Sequence, residues 1–189
     1  MESAAKIKET LQAASTEKLP EFIAEYEMDP RSGVQKLVAS ARKKLDALEK
    51  EKQRIENLKK YEREYAQYSY ICGIDEVGRG PLAGPVVAGA VILPKDCHIL
   101  YINDSKQLSE KKREELYDVI TREAVAWAVG YASPKRIDEI NILQATYAAM
   151  REAIGKLTPA PDLLLNDAVT IPGVNIRQEI GRASCRERV

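Results

Sequence analysis

Apolar residues recur at helical spacing over the first sixty positions and then switch to short runs and alternation, which divides the chain into a helical part and an α/β part. Ile7 and Leu11 stand four apart in a short helix over Ala4–Ala14, and Phe22, Ile23 and Tyr26 predict another turn or two after Pro20. Asp29-Pro30 reads as an N-cap followed by proline at the first helical position. The helix it opens carries Val34, Leu37, Val38, Ala41, Leu45, Leu48, Ile55 and Leu58 as its apolar stripe and is expected to run to about Tyr61. A coiled-coil seam fits less well, because it is short and interrupted at Lys52. Tyr61, Tyr65, Tyr68 and Tyr70 cluster where the pattern changes, as expected of a linker packed against the next domain.

The remaining pattern predicts strands over Ser69–Asp75, Val86–Leu93 and Ala124–Ala132, and a short buried strand at Leu163-Leu164-Leu165. Pro94-Lys95-Asp96 is a turn, and His98, the only histidine, falls in a loop with no partner histidine at ligand spacing. Ser109 is the expected N-cap of a charged helix over Glu110–Arg122 with Leu116, Val119 and Ile120 on its buried edge. Ser133-Pro134 opens a helical segment through Ile140, and Asn141 caps a longer helix bearing Leu143, Tyr147, Met150 and Ile154. Trp127 is expected to be a core or packing residue. Asn166 departs from the apolar residue that a buried strand calls for.

Composition adds little until its distribution is considered. Lysine plus arginine equals aspartate plus glutamate at 29 each, yet residues 42–63 hold nine basic against five acidic side chains. That face is either a solvated surface or a contact for a nucleic-acid backbone. Cys72, Cys97 and Cys185 are few, odd in number and without metal-ligand spacing, so a disulfide framework is not expected and a cytoplasmic setting fits. The start of the chain is polar, and no apolar run is long enough to span a bilayer.

The stretch Ile71–Pro85 concentrates the candidate chemistry. An apolar approach delivers two adjacent carboxylates, Asp75 and Glu76, and then Gly78-Arg79-Gly80. Successive strand side chains point to opposite faces, so both carboxylates reach one site only if the strand ends or kinks between them. Converging carboxylates repel unless a cation neutralises them, and oxygen ligands favour a hard divalent ion such as Mg²⁺ or Mn²⁺. Arg79 offers a phosphate-reading guanidinium between glycines that leave backbone N–H groups open to close approach.

Asp75-Glu76-Val77-Gly78-Arg79-Gly80-Pro81-Leu82-Ala83-Gly84-Pro85 resembles the signature of ribonuclease HII, the type 2 ribonuclease H. The likeness continues through Asp104-Ser105-Lys106, residues Ile137 to Leu143, and Leu164-Leu165-Asn166-Asp167-Ala168, covering about Tyr70 to Glu179. The helical region ahead of it resembles the N-terminal extension of Bacillus-like members. The resemblance implies an α/β fold, a ribonuclease H-like mixed sheet with helices on both faces, and an organisation into residues 1–66 (helical extension), 67–179 (catalytic domain) and 180–189 (a foreign tail). It implies Asp75, Glu76 and Asp167 as catalytic metal ligands for Mg²⁺ or Mn²⁺, Gly78-Arg79-Gly80 as the turn that reads the ribose 2′-hydroxyl, and Lys106 as a phosphate contact. The implied substrate is an RNA:DNA hybrid or DNA with an embedded ribonucleotide, cut to 5′-phosphate and 3′-hydroxyl ends by a monomer that binds no membrane.

The family pattern has a further acidic residue and helices after the third carboxylate, and nothing among the 22 residues after Asp167 matches them. The run Glu179–Val189 resembles translated sequencing-adapter DNA instead. A truncated chain of weak or no activity is therefore the expectation. The alternative from another class is a noncatalytic nucleic-acid-binding or helical interaction module built on the basic helix face. A dinucleotide-binding loop at Gly78-Arg79-Gly80 has the wrong glycine spacing and would set carboxylates against a pyrophosphate.

Overall fold

A computed structural model describes residues 2–80, 84–166 and 169–180; Pro81, Leu82, Ala83, Asp167, Ala168 and residues 181–189 lie outside the described residues, as does the Tyr61 side chain. Contacts divide the chain into Met1–Asn57 and Leu58–Val189. No helix among the described residues is long and apolar enough to cross a membrane.

The first unit is helical: α1 (Ala4–Ala13), α2 (Leu19–Tyr26) and the greater part of α3 (Ser32–Leu58). Ser3 caps α1 by accepting from the Lys6 amide. Ile7, Leu11, Leu19, Phe22, Tyr26, Val34, Val38 and Ala41 form one core, so the stripe read from the first half of α3 is the stripe it buries. The helix starts later than the Asp29-Pro30 pattern predicts. Asp29 spends its carboxylate on the Arg31 amide at 2.9 Å and on the Arg31 guanidinium at 2.6 Å, an Asx-type turn that keeps it out of the cap position. The first helical bond runs from Gln35 to the Arg31 carbonyl instead. At the other end α3 stops at Leu58, and a separate short helix, α4 (Lys60–Glu64), follows where one continuous helix to Tyr61 was expected.

The Arg31 guanidinium beside Asp29 holds that carboxyl down at about 2, below its usual 3.8. A depressed carboxylate contributes stability above its unfolded value and loses it as pH falls. The first unit is therefore expected to weaken between about pH 4 and pH 2, and Asp29→Asn to flatten that step. Chemical denaturation followed by circular dichroism across this range checks it. Ion pairs also offset part of the basic excess on α3, with Arg42 on Glu27, Lys52 on Glu49 and Arg54 on Glu51.

The second unit holds a five-stranded mixed sheet in the order β3-β2-β1-β4-β5. Its strands are β1 (Ile71–Val77), β2 (Val86–Ile92), β3 (Ala126–Ala132), β4 (Leu163–Asn166) and β5 (Arg177–Ile180), with α5 (Glu110–Glu123) and α6 (Pro134–Gly155) between them. β1–β2 and β2–β3 are antiparallel, whereas β1–β4 and β4–β5 are parallel. The fifth strand has no counterpart in the sequence pattern, because Arg177-Gln178-Glu179-Ile180 shows no apolar alternation. Asp162 accepts from the Ser69 and Tyr70 amides at 2.7 and 2.8 Å, tying the entry to β1 to the residue before β4. Nearby, Arg177 donates to the Tyr68 hydroxyl at 2.9 Å, as expected of tyrosines packing the linker on the sheet domain.

α6 lies on one face, with Ala145, Ala149, Met150, Ala153 and Ile154 buried in the same core as Cys72, Ile74, Val86, Ala88, Ala90 and Ile92. Asn141 interrupts this helix at φ 66°, ψ 164°, and its Oδ1 accepts from the Gln144 amide, so the two-part reading with an Asn141 cap holds. Ser109 likewise caps α5 through the Lys112 amide.

On β3 the large residues pack outside the α6 core. Ala128 and Ala132 are buried toward α6 together with Gly130, whereas Trp127, Val129 and Tyr131 are 43, 43 and 53 % exposed on the other face. The reason is close packing. A Cβ at Gly130 would be driven into the Ala149 carbonyl oxygen, so small residues must face the helix and the large ones take the opposite side. There Trp127 meets Tyr117 of α5 edge-on, with ring centroids 6.2 Å apart.

Candidate active site

β1 does not end at Asp75. The antiparallel ladder with β2 continues through Asp75↔Gly89, Glu76↔Ala88 and Val77↔Val87, so both carboxylates are strand residues. Alternation then places them on opposite faces: Glu76 continues the row of Cys72 and Ile74 toward α6, and Asp75 takes the other side. The expected strand break between them is absent because both residues are held in backbone pairing. Asp75 Oδ1 also accepts from the Glu76 amide at 2.8 Å.

The turn follows Val77. Gly78 has φ 91°, and a Cβ there would collide with the Pro85 carbonyl oxygen, so only glycine suits this corner. A Cβ at Gly80, by contrast, would meet nothing within 4 Å among the described residues. The corner turns Arg79 back on the strand, and its Nη1 lies 3.2 Å from Glu76 Oε1, with the arginine side chain 46 % exposed and the glutamate 18 %. In this state Arg79 neutralises Glu76 rather than presenting a bare guanidinium. Lys106 stands apart, exposed in a short turn (Ser105–Gln107) that Asp104 caps by accepting from the Lys106 amide at 2.9 Å.

β4 supplies the other half of the edge. It runs parallel to β1 in the register Ile71↔Leu163, Cys72↔Leu164, Gly73↔Leu165 and Ile74↔Asn166. Asp75 is thus one peptide beyond a paired position on β1. Asp167, outside the described residues, is one peptide beyond the matching position on β4. Among the described residues no group of three or more His, Cys, Asp or Glu side chains is arranged to hold a metal.

Asn166 proves to be no packing defect. It is 2 % exposed, and its Nδ2 donates to the Val169 carbonyl at 2.9 Å and to Gln178 Oε1 at 2.8 Å. Gln178 in turn accepts from the Ile171 amide at 2.8 Å and donates to the Ile171 carbonyl at 2.9 Å. Among the described residues Asn166 Oδ1 is buried without a hydrogen-bond partner. Sequence reasoning missed Asp162 and Gln178 because neither carries a motif. Asn166 at least broke the apolar run.

Carboxylate oxygens such as those of Asp75 and Glu76 are the donors a hard divalent cation takes, and with the two on opposite faces of β1 they can share an ion only around the end of the strand. Neither described thiol adds a ligand. Burial pushes the Cys72 thiol up to about 12 and also raises that of Cys97. His98 is exposed, with Nδ1 3.0 Å from Lys59 Nζ.

Comparison with known proteins decides the family. Residues 72–185 match the family model described as Ribonuclease HII, and residues 3–66 match that of the Ribonuclease HII N-terminal domain. The chain belongs to the ribonuclease HII family. The match runs on past Glu179, into the run expected to fall outside ribonuclease HII. The Ribonuclease HII of Lachnoclostridium phytofermentans is 63 % identical over 153 residues, which cover 81 % of this chain and 60 % of that protein. That of Clostridioides difficile is 50 % identical over 178 residues, covering 93 % of this chain and 70 % of that protein. The chain thus spans about 60 % of the length of its Lachnoclostridium relative. Among solved structures, ribonuclease H2 from Pyrococcus horikoshii superposes with a TM-score of 0.52 at 24 % identity, over 62 % of this chain and 64 % of that one, a likeness of fold.

Proposed function

We propose that this chain is a metal-dependent endonuclease that cuts the RNA strand of RNA:DNA hybrids and at ribonucleotides embedded in DNA. The observation that carries the reading is the parallel pairing of β1 with β4 up to Ile74↔Asn166. Parallel neighbours lie about 4.8 Å apart, so the positions that precede Asp75 and Asp167 in sequence, Ile74 and Asn166, sit side by side at one end of adjacent strands. Membership of the ribonuclease HII family supports the same assignment.

Asp75 and Asp167, joined by Glu76 reaching around the end of β1 from its other face, would hold Mg²⁺ or Mn²⁺, which when bound would supply an activated water and charge stabilisation for an in-line displacement. The chain's own residues do the rest. Gly78 shapes a corner whose backbone groups can meet a ribose 2′-hydroxyl, the atom that separates RNA from DNA. Arg79, once released from Glu76, and Lys106 would contact phosphates.

The test is a duplex carrying one ribonucleotide, incubated with the chain in Mg²⁺, in Mn²⁺ and in excess EDTA. Divalent-dependent cleavage on the 5′ side of the ribonucleotide, with an all-DNA duplex left intact, is the expected result. Binding without cleavage in either metal would favour the interaction-module reading, and cleavage that persists in EDTA would contradict the metal assignment.

The Glu76–Arg79 pair gives a second expectation. A cation approaching Glu76 must displace the guanidinium, and a half-exposed pair of this kind contributes about 1 kcal/mol at most. Arg79→Gln should therefore tighten Mn²⁺ binding to the free protein by about two- to fivefold while weakening hybrid binding in Ca²⁺. Calorimetric titration reads the first effect and fluorescence anisotropy the second. Weaker Mn²⁺ binding by the variant would show that Arg79 does not compete for Glu76.

A further inference from the structure

We infer that Arg113 is a positioning residue for substrate binding: from α5 it holds the Ser105–Gln107 turn closed, so that Lys106 meets a backbone phosphate from a fixed base. The inference rests on the phosphate reading of Lys106 above and adds to it a residue that acts through Lys106 rather than on the substrate.

The first observation is the pattern of bonds. Arg113 Nη1 donates to the Leu108 carbonyl at 2.8 Å and to that of Ser105 at 3.4 Å, so one guanidinium nitrogen bridges the two sides of the turn. Inside it, Asp104 Oδ1 accepts from the Lys106 amide at 2.9 Å, and the Asp104 carbonyl accepts from the Gln107 amide at 2.8 Å. Asn103 secures the approach, accepting from the Asp104 amide at 2.9 Å and donating to Gln107 Oε1 at 3.1 Å. Yet the turn buries none of its residues, and Lys106 is exposed. Ordering an exposed segment costs conformational entropy that no burial offsets here. A rigid base for a long, flexible cation is what the ordering supplies, since it lowers the entropy lost when that cation binds.

The second observation is place. The Val125 amide donates to the Ile92 carbonyl at 2.8 Å, which sets the C-terminal end of α5 at the Ile92 edge of the sheet. A helix of 14 residues rises about 20 Å, so the turn that opens α5 stands well away from that edge. Asp75, paired with Gly89, is likewise set back from it. The face agrees too. Asp75 pairs through Gly89 with Val129, in the outward row of β3 that holds Trp127, and Trp127 meets Tyr117 of α5. Lys106 is thus carried by the element that packs on the Asp75 face of the sheet.

The experiment measures binding of an RNA:DNA hybrid duplex in Ca²⁺ by fluorescence anisotropy over a series of salt concentrations. It compares the parent chain, Lys106→Met, Arg113→Met, the Lys106→Met/Arg113→Met pair and Arg113→Lys, with a thermal melt of each. Lys106→Met is expected to weaken binding by about fivefold and to lower the salt slope by about one, the signature of one lost phosphate contact. Arg113→Met should weaken it by about threefold with a near-parental melt, and should add nothing once Lys106 is gone. In steady-state cleavage its effect should fall on KM and leave kcat at the parental value. Arg113→Lys, which keeps a donor, should recover most of the loss.

Equal weakening by Arg113→Met with and without Lys106 would mean that Arg113 meets the duplex itself or acts on the whole fold, and overturns the positioning role. Lys106→Met that binds like the parent overturns it as well, and cleavage by that parent leaves the nuclease reading standing. A parent chain that neither binds nor cuts the hybrid overturns that reading and this inference together. Should Arg113→Met melt early, Arg113→Gln, with and without Lys106→Met, makes the same comparison.

Discussion

Asp75→Asn is expected to lose metal-dependent cleavage by more than about a hundredfold, with Mn²⁺ affinity falling in parallel and the melting temperature nearly unchanged. The substitution is isosteric, and the new side-chain oxygen can still accept the Glu76 amide that Asp75 Oδ1 now accepts at 2.8 Å. Backbone pairing to Gly89 is untouched as well. What disappears is one negative charge from a site whose oxygen donors must offset a divalent cation. Loss of a partner that merely supports a ligand already reaches 10- to 100-fold, so loss of the ligand's charge should exceed that range. Single-turnover cleavage of a duplex with one ribonucleotide, alongside calorimetry, separates this outcome from misfolding. A variant that cuts within a few-fold of the parent would remove Asp75 from the chemistry.

Gly130→Ala should have the largest effect on stability, at about 3 kcal/mol or more. Its new Cβ would be driven into the Ala149 carbonyl oxygen and would lie 2.8 Å from both the Ala149 carbonyl carbon and the Ala153 nitrogen. These are backbone atoms of α6 and cannot swing aside as a side-chain tip could. Relief requires the helix to move off the sheet, opening the layer formed by Ala145, Ala149 and Ala153 against Ala128 and Ala132. Overpacking of this sort costs about 1–3 kcal/mol and sometimes more when neighbours can relax, and here they have little room. Urea denaturation measures the loss, and a midpoint close to that of the parent would mean that α6 does not press on β3 as described.

The same contact explains which parts of the fold were legible in the sequence. Helix starts at Ser109 and Asn141 could be read because a cap is a local bargain between one side chain and one or two amides. The first four strands were readable from their apolar runs, and the mixed character of the sheet followed from resemblance. Which of core or outer packing Trp127 takes was not legible, because burial on β3 depends on how closely α6 approaches, which depends on Gly130 and Ala149 meeting across 19 residues of sequence. β5 was invisible for a related reason, since its stability comes from pairing with β4 rather than from its own alternation.

At the site, Asp75, Glu76 and Gly78 announced themselves by composition and order. Their disposition did not. Pairing with Ala88 and Val87 keeps β1 extended past Asp75, so the two carboxylates occupy opposite faces where the sequence suggested a break. The Arg79 contact with Glu76 depends on a corner set by Gly78 against Pro85, and the Asn166–Gln178 linkage depends on a strand that the sequence pattern does not reveal.

The central claim is that carboxylates from β1 and from the residue after β4 share a divalent ion. Its most direct test is an Mn²⁺ titration followed by electron paramagnetic resonance of the free ion, run on the parent chain, Asp75→Asn and Asp167→Asn. Saturable binding by the parent that is lost in both variants is the predicted result. Parental binding retained in Asp167→Asn would show that the end of β4 contributes no ligand, and the shared site would have to be abandoned.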